Sequence, residues 1–149
     1  AEYVKKLIIS LSFNGRFFED NATRVNGKLE KTGNISETCQ YYAFYCDIAD
    51  ENNFPELYKT MFTVFGKNRD DTTVYPEVYK SNAFIGDMLR LDYLAEHGKA
   101  EQAISECKDY YYGMVKRTGT LWEHETPIGS LVHCFSAMIA VWIKNYYAD

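Results

Sequence analysis

The sequence lacks a C-x-x-C pair, an unbroken apolar run of about 18 residues and any excess of positive charge. Its 149 residues carry 16 Lys and Arg against 21 Asp and Glu, a net charge of −5. With no basic stripe, nucleic acid and anionic membrane are not expected as partners. With no long apolar run, no membrane-spanning helix is expected. There is no phosphate-binding glycine loop, no dinucleotide fingerprint and no G-x-S-x-G nucleophile turn. His124-Glu125-Thr126-Pro127-Ile128 falls short of the zinc motif H-E-x-x-H, because Ile128 stands where the second His belongs. No metal and no cofactor are therefore expected. The four cysteines, Cys39, Cys46, Cys107 and Cys134, all fall in apolar helical patterns and read as small buried hydrophobes. Cys39 and Cys46 lie about two turns apart on one helix, too far to bridge. This usage fits the cytosol and an exported protein equally, so the compartment stays open. The chain starts at Ala1, with no visible signal peptide, and reads as processed or cut from something longer. Asn21-Ala22-Thr23 and Asn34-Ile35-Ser36 match the glycosylation pattern, which is common by chance.

What the chain has in abundance is aromatic surface: 16% of residues, with thirteen Tyr. A tyrosine ring with a polar tip suits a wet cleft as well as ordinary helix packing. The length is that of one domain able to bury a core.

The apolar periodicity predicts about six helices. Tyr3 to Leu11 places Val4, Leu7, Ile8 and Leu11 on one face. A polar stretch from Ser12 to Gly33 follows. Phe17-Phe18 and Val25 to Leu29 are candidates for a small hairpin turning at Asn26-Gly27. Asn34 with Glu37 three residues on predicts a capping box, opening a helix that runs to Ala49. Pro55 opens a third helix ending at Gly66. Further helices are expected over 81–97, 99–116 and 131–146. The last is apolar nearly all round and is expected to be buried on every side. His97 beside Gly98 reads as a C-terminal dipole partner.

Helices two, four and six follow long loops and begin near 36, 81 and 131, which is 45 and 50 residues apart. Hairpins stacked at such a period predict an all-α solenoid or an α/α toroid, with the long loops on one rim. Glu37, Glu77 and Glu123 would then sit on that rim near helix N-termini, which favour the ionised form. Trp122-Glu123 stands out among them. A ring beside a carboxylate offers a flat face to a sugar and a base or acceptor to its hydroxyls.

Thr120-Leu121-Trp122-Glu123-His124, then Ser130-x-x-His133-x-Phe135, then Val141-Trp142-Ile143, resembles the C-terminal third of the catalytic domain of α-L-rhamnosidases. The segments Ser12 to Ala22, Gly27 to Asn34 and Glu37-x-x-Gln40-Tyr41-Tyr42-Ala43-Phe44 resemble the preceding hairpin of that family. The likeness spans about residues 10 to 145. It implies an inverting glycoside hydrolase built on a six-hairpin α/α barrel. On that likeness Glu123 is the general base that activates water, Trp122 an aromatic beside the sugar, and His133 a sugar contact. Glu37, Gln40 and Tyr41 fall on a rim segment and are expected to touch substrate. The sequence departs from the family at Val132 and Cys134, where Asn and Gly are usual. That removes a polar group and narrows the space.

The likeness makes residues 1–149 about half of the toroid, the C-terminal portion of a six-hairpin glycosidase domain. An inverting mechanism needs a second carboxyl as general acid, and in the family it comes from the first half. The chain is therefore expected to be inactive alone and to self-associate through its open flank. Its expected partners are a rhamnosyl glycan and the missing half-barrel. Another six-hairpin glycosidase acting on a different sugar, or a non-catalytic helical module binding carbohydrate or protein, are the alternatives. Residue by residue, Glu123 otherwise reads as a solvated or capping glutamate, Trp122 as a core anchor and His133 as a packing residue. Glu77 is a minor candidate for a second acid.

Overall fold

The computed structural model describes residues 1–81 and 84–146. The chain is mostly helical and divides into two compact units, Ala1–Lys80 and Ser81–Asp149. Among the described residues, no helix is long and apolar enough to cross a membrane.

The first unit opens with α1 (Glu2–Ser12), the amphipathic helix predicted, but none of its residues is buried. Strands β1 (Ala22–Val25) and β2 (Lys28–Lys31) form an antiparallel hairpin with Val25 opposite Lys28. Its turn residues Asn26 and Gly27 have φ of 50° and 82°, as a two-residue hairpin turn with both centres left-handed requires. The hairpin thus turns at the expected residues, with its first strand at Ala22–Val25 rather than at Phe17-Phe18. Phe17 and Phe18 do not pair in it but sit in the core, at 3% and 1% exposure, because two adjacent large rings gain more by burial than on an exposed ribbon.

Helix α2 (Glu37–Tyr45) begins later than expected, and its cap is Ser36, not Asn34. The reason is a strand the periodicity does not reveal. Ile35–Ser36 (β3) pairs in parallel with Val78–Tyr79 (β4), and this ladder consumes the residues before the helix. Ser36 Oγ accepts from the Cys39 N–H at 3.1 Å and donates to Asp20 Oδ1 at 2.9 Å. The helix stops at Tyr45 rather than Ala49 because Asp47 turns left-handed, φ 55°. The Ile48 and Ala49 N–H groups then fold back onto the Ala43 carbonyl at 2.8 and 2.9 Å. Helix α3 (Pro55–Thr63) starts on Pro55 as predicted. The core of this unit is Phe17, Phe18, Tyr41, Phe44, Leu57, Met61, Phe65 and Val78.

In the second unit, α4 (Phe84–Glu96) and α5 (Ala100–Thr118) pack as a hairpin. The expected start of α4 includes residues 82 and 83, which lie outside the described residues. Gly98 and Gly119, both at φ 72°, provide the left-handed stops. Arg90 clamps the pair by donating from Nε and Nη2 to both oxygens of Glu106, at 2.7 and 2.9 Å. His97 does meet the end of α4: its Nδ1 is 2.8 Å from the Tyr93 carbonyl, and its ring stacks on Tyr93 at 3.7 Å.

The last helix differs most from expectation. Residues 131–133 are not helical; a 3-10 turn at Cys134–Ala137 leads into α6 (Met138–Tyr146). The His133 N–H donates to the Leu121 carbonyl at 2.9 Å, which holds this stretch extended. Nor is α6 buried on every side. Trp142 is its one buried residue, with Nε1 donating to Asp92 Oδ1 at 2.7 Å, while Val141, Ile143 and Tyr146 are exposed. The cysteines also split. Cys107 is buried and Cys39 half-buried, and burial pushes both thiols up to about 12. Cys46 and Cys134 are exposed, so the expectation of four buried thiols fails at these two, which sit at or before helix ends rather than on inward faces.

Candidate functional site

The loop after α5 is built around Glu123. Gly119 ends α5, and Thr120 Oγ1 donates to the Leu131 carbonyl at 2.6 Å. The Glu123 N–H donates to the Ser130 carbonyl at 2.8 Å. The Ser130 N–H in turn donates to Glu123 Oε2 at 3.0 Å. The Glu123 carbonyl accepts from the Phe84 N–H at 3.0 Å, tying the residue to the start of α4. Two backbone bonds and one side-chain bond thus fix Glu123 although it lies on a loop.

Gly129 makes room for this carboxylate. Its φ is +73°, and a Cβ there would stand 2.8 Å from Glu123 Oε2 and 3.1 Å from the His124 ring. A residue with a side chain at 129 would displace the carboxylate or the loop.

The two carboxylate oxygens are used differently. Oε2 is held by Ser130, while among the described residues Oε1 accepts no hydrogen bond and faces His124 Nε2 at 4.0 Å. The side chain is 40% exposed. The Ser130 N–H bond holds the Glu123 carboxyl below its ordinary range, and the charges of His124 and His133 act in the same sense. The geometry therefore gives a positioned, ionised and accessible carboxylate with one free oxygen.

His133 ends the loop. Its ring lies 5.0 Å from Phe84 and 5.3 Å from Phe135. Its Nδ1 is buried with no hydrogen-bond partner among the described residues. An unpaired buried nitrogen costs stability.

Trp122 takes the core-anchor role. It is 2% exposed. Its backbone N–H points at Met114 Sδ, 3.3 Å away, and its indole Nε1 donates to Thr118 Oγ1 at 2.8 Å. The Arg117 guanidinium lies 5.6 Å from the ring centre. The ring pins the loop to α5 and presents no open face for a sugar. Trp122 is buried while the Glu123 side chain beside it is 40% exposed.

The first unit holds the other three expected contacts, Glu37, Gln40 and Tyr41, and all three are buried at 1% exposure or less. Glu37 Oε1 accepts from Arg69 Nε at 2.5 Å, and Glu37 Oε2 accepts from the Tyr41 hydroxyl at 3.0 Å. The same guanidinium donates to the carbonyls of Val74, Tyr75 and Val78 at 2.7, 3.1 and 2.8 Å. Gln40 mimics a strand: its Oε1 accepts from the Phe18 N–H at 2.8 Å, and its Nε2 donates to the carbonyls of Phe18 and Ser36, both at 2.9 Å. These residues staple loops to α2, and their polar atoms are used by the protein itself. Arg69 went unnoticed in the sequence as one cation in a polar loop. Glu77 is exposed and faces Arg16 at 3.6 Å, a surface ion pair.

Among the described residues, no group of three or more His, Cys, Asp or Glu is placed to hold a metal. Compared with known proteins, the chain matches no family model, no curated protein and no solved structure.

Proposed function

We propose that the chain supplies the water-activating side of an inverting glycoside hydrolase, of the kind that removes terminal L-rhamnose, with Glu123 as general base. The observation that carries this reading is the divided carboxylate of Glu123. Oε2 is anchored by the Ser130 N–H, and Oε1 is open to accept a proton from water. Inversion requires one carboxyl to be ionised while another stays protonated, and a base held below the usual range satisfies the first half of that requirement. Water attacking the anomeric carbon gives its proton to Oε1. The acid that protonates the leaving oxygen comes from preceding hairpins of the same barrel, of which this chain is about half. His133 is taken as the sugar contact on the resemblance, its ring being half-buried at the end of the loop. Trp122 supports the base from beneath, and Glu37, Gln40 and Tyr41 maintain the fold. The resemblance in Thr120 to Ile143 supplies the choice of sugar.

The test is the product anomer. With the full-length protein and an aryl α-L-rhamnoside, proton NMR is expected to show β-L-rhamnose forming first. First formation of the α-anomer, or cleavage of other glycosides only, overturns the assignment. A helical binding module is the second reading, favoured by the exposed apolar residues Val132, Phe135, Val141 and Ile143. It predicts sugar binding or self-association with no hydrolysis.

A further inference from the structure

The first unit holds a cavity of about 520 Å³ between the turn after α1 and the start of α3. This lies within the size range of small-molecule sites, roughly 300–1,000 Å³. Its walls are aromatic and its polar groups are few: Phe13, Phe54 and Tyr75 with Arg16, Asn53 and Glu56.

The rings are fixed by one another. Phe13 meets Phe54 edge-on at 4.8 Å, and Tyr75 meets Phe17 edge-on at 5.4 Å. Tyr75 holds a left-handed backbone, φ 54°, which is costly for a large side chain and sets where its ring lies. The Arg16 guanidinium is laid over that ring, 4.5 Å from its centre. Such stacking orients the fork of donors in advance.

The hydrogen-bonding capacity left open is mixed. Arg16 faces Glu77 only at 3.6 Å, and among the described residues its guanidinium donates no hydrogen bond. Asn53 uses Oδ1 to accept from the Asp50 N–H at 2.7 Å, which leaves its amide N–H₂ as donors. Glu56 accepts through its backbone carbonyl from Thr60, and its carboxylate is without a partner among the described residues. One cation and one anion make the lining neutral. Free donors and a free acceptor against aromatic edges match a ligand that is uncharged, rich in hydroxyls and apolar on its ring faces.

We infer that this cavity is a binding site for a neutral pyranose, with Arg16 and Asn53 donating to ring hydroxyls and Glu56 accepting from one. The site lies wholly within the first unit and does not depend on Glu123. If the chain acts on a glycan, this cavity holds a sugar unit in addition to the one being cleaved.

The test is amide NMR of the 149-residue chain titrated with methyl α-L-rhamnopyranoside, methyl β-D-glucopyranoside and, as an anionic aromatic control, benzoate. At least one pyranoside is expected to give saturable shifts at Gly15, Arg16, Phe54 and Tyr75, with affinity in the region of about 1–10 mM. Arg16→Ala is expected to weaken binding about tenfold, the value of one charge-assisted hydrogen bond. Arg16 is exposed and its ion pair is long, so the substitution leaves the fold intact; Glu56→Gln is the second variant and is expected to weaken binding as well. No shifts at these amides with either pyranoside up to about 50 mM overturns the inference. So does a response to benzoate alone, or undiminished binding by both variants. Shifts confined to Glu123 and Ser130 overturn this site and uphold the proposed function. Shifts confined to Arg16 and Tyr75 uphold this site and count against Glu123 as a sugar-facing group.

Discussion

Gly129→Ala is the substitution that probes the site most sharply without touching an ionisable group. Two effects follow from the structure. The left-handed backbone at φ +73° carries a steric penalty of about 1–2 kcal/mol for any residue with a Cβ. The new methyl would stand 2.8 Å from Glu123 Oε2, closer than two such atoms approach, so the carboxylate must rotate away. Rotation breaks the 3.0 Å bond from the Ser130 N–H, which adds to the backbone penalty. The cost is expected to be no less than the backbone's own, about 1–2 kcal/mol. The second effect is on ionisation. Because the Ser130 bond is the main cause of the depressed Glu123 pKa, its loss moves that pKa up toward the ordinary value of 4.5. Urea denaturation followed by Trp fluorescence reads the first effect, and a carboxyl-detected NMR titration of Glu123 reads the second. Repeating Gly129→Ala in a Glu123→Ala background separates the terms, since the clash with the carboxylate vanishes while the backbone penalty and the 3.1 Å approach to the His124 ring remain. Equal costs in both backgrounds, together with an unmoved Glu123 titration, would refute the reasoning.

Four further outcomes are expected. Arg69→Met leaves the Glu37 carboxylate buried without its cation, which costs about 3–5 kcal/mol; thermal unfolding that matches wild type would show that the buried pair does not hold the first unit together. Gln40→Ala strips partners from the Phe18 N–H and carbonyl and costs about 1–3 kcal/mol, measured by chemical denaturation; a change under about 0.5 kcal/mol contradicts the strand-like role. Glu123 has a depressed folded pKa, so its contribution to stability is complete above the unfolded value of 4.5 and is lost as pH falls through the folded value; Glu123→Gln is expected to flatten stability against pH in that acid window only. The exposed apolar residues Val132, Phe135 and Ile143 predict concentration-dependent association in sedimentation experiments, reduced by Ile143→Lys; a monomer at all concentrations contradicts it.

The helical core was legible because it rests on local signals. Gly98 marks the end of α4, Pro55 marks the start of α3, and Asn26-Gly27 marks the hairpin turn. What escaped the sequence depends on partners distant along the chain. Asn34 and Ser36 are both good caps, and the choice falls to Ser36 only because Ile35 pairs with Val78, 43 residues away. Arg69 lies 32 residues from Glu37, and nothing local distinguishes it from a solvated cation. The site divides in the same way. Glu123 and the Ser130 to His133 segment were visible as a motif, but a motif does not say which of two adjacent residues faces outward. Trp122 is held in the core by Thr118 and Met114, while Glu123 is held at the surface by Ser130, and neither partner is marked by the motif. The apolar composition of α6 misled because composition records what a helix can bury, while Val141 and Ile143 stay exposed.

The central claim is that Glu123 accepts the proton of the attacking water. Its most direct test is the rate of aryl α-L-rhamnoside hydrolysis by the full-length protein beside its Glu123→Gln variant, which keeps the size of the side chain and the Ser130 contact. Loss of a general base predicts a fall in kcat of about two to four powers of ten with KM little changed. A variant that turns over at the wild-type rate would remove Glu123 from the chemistry.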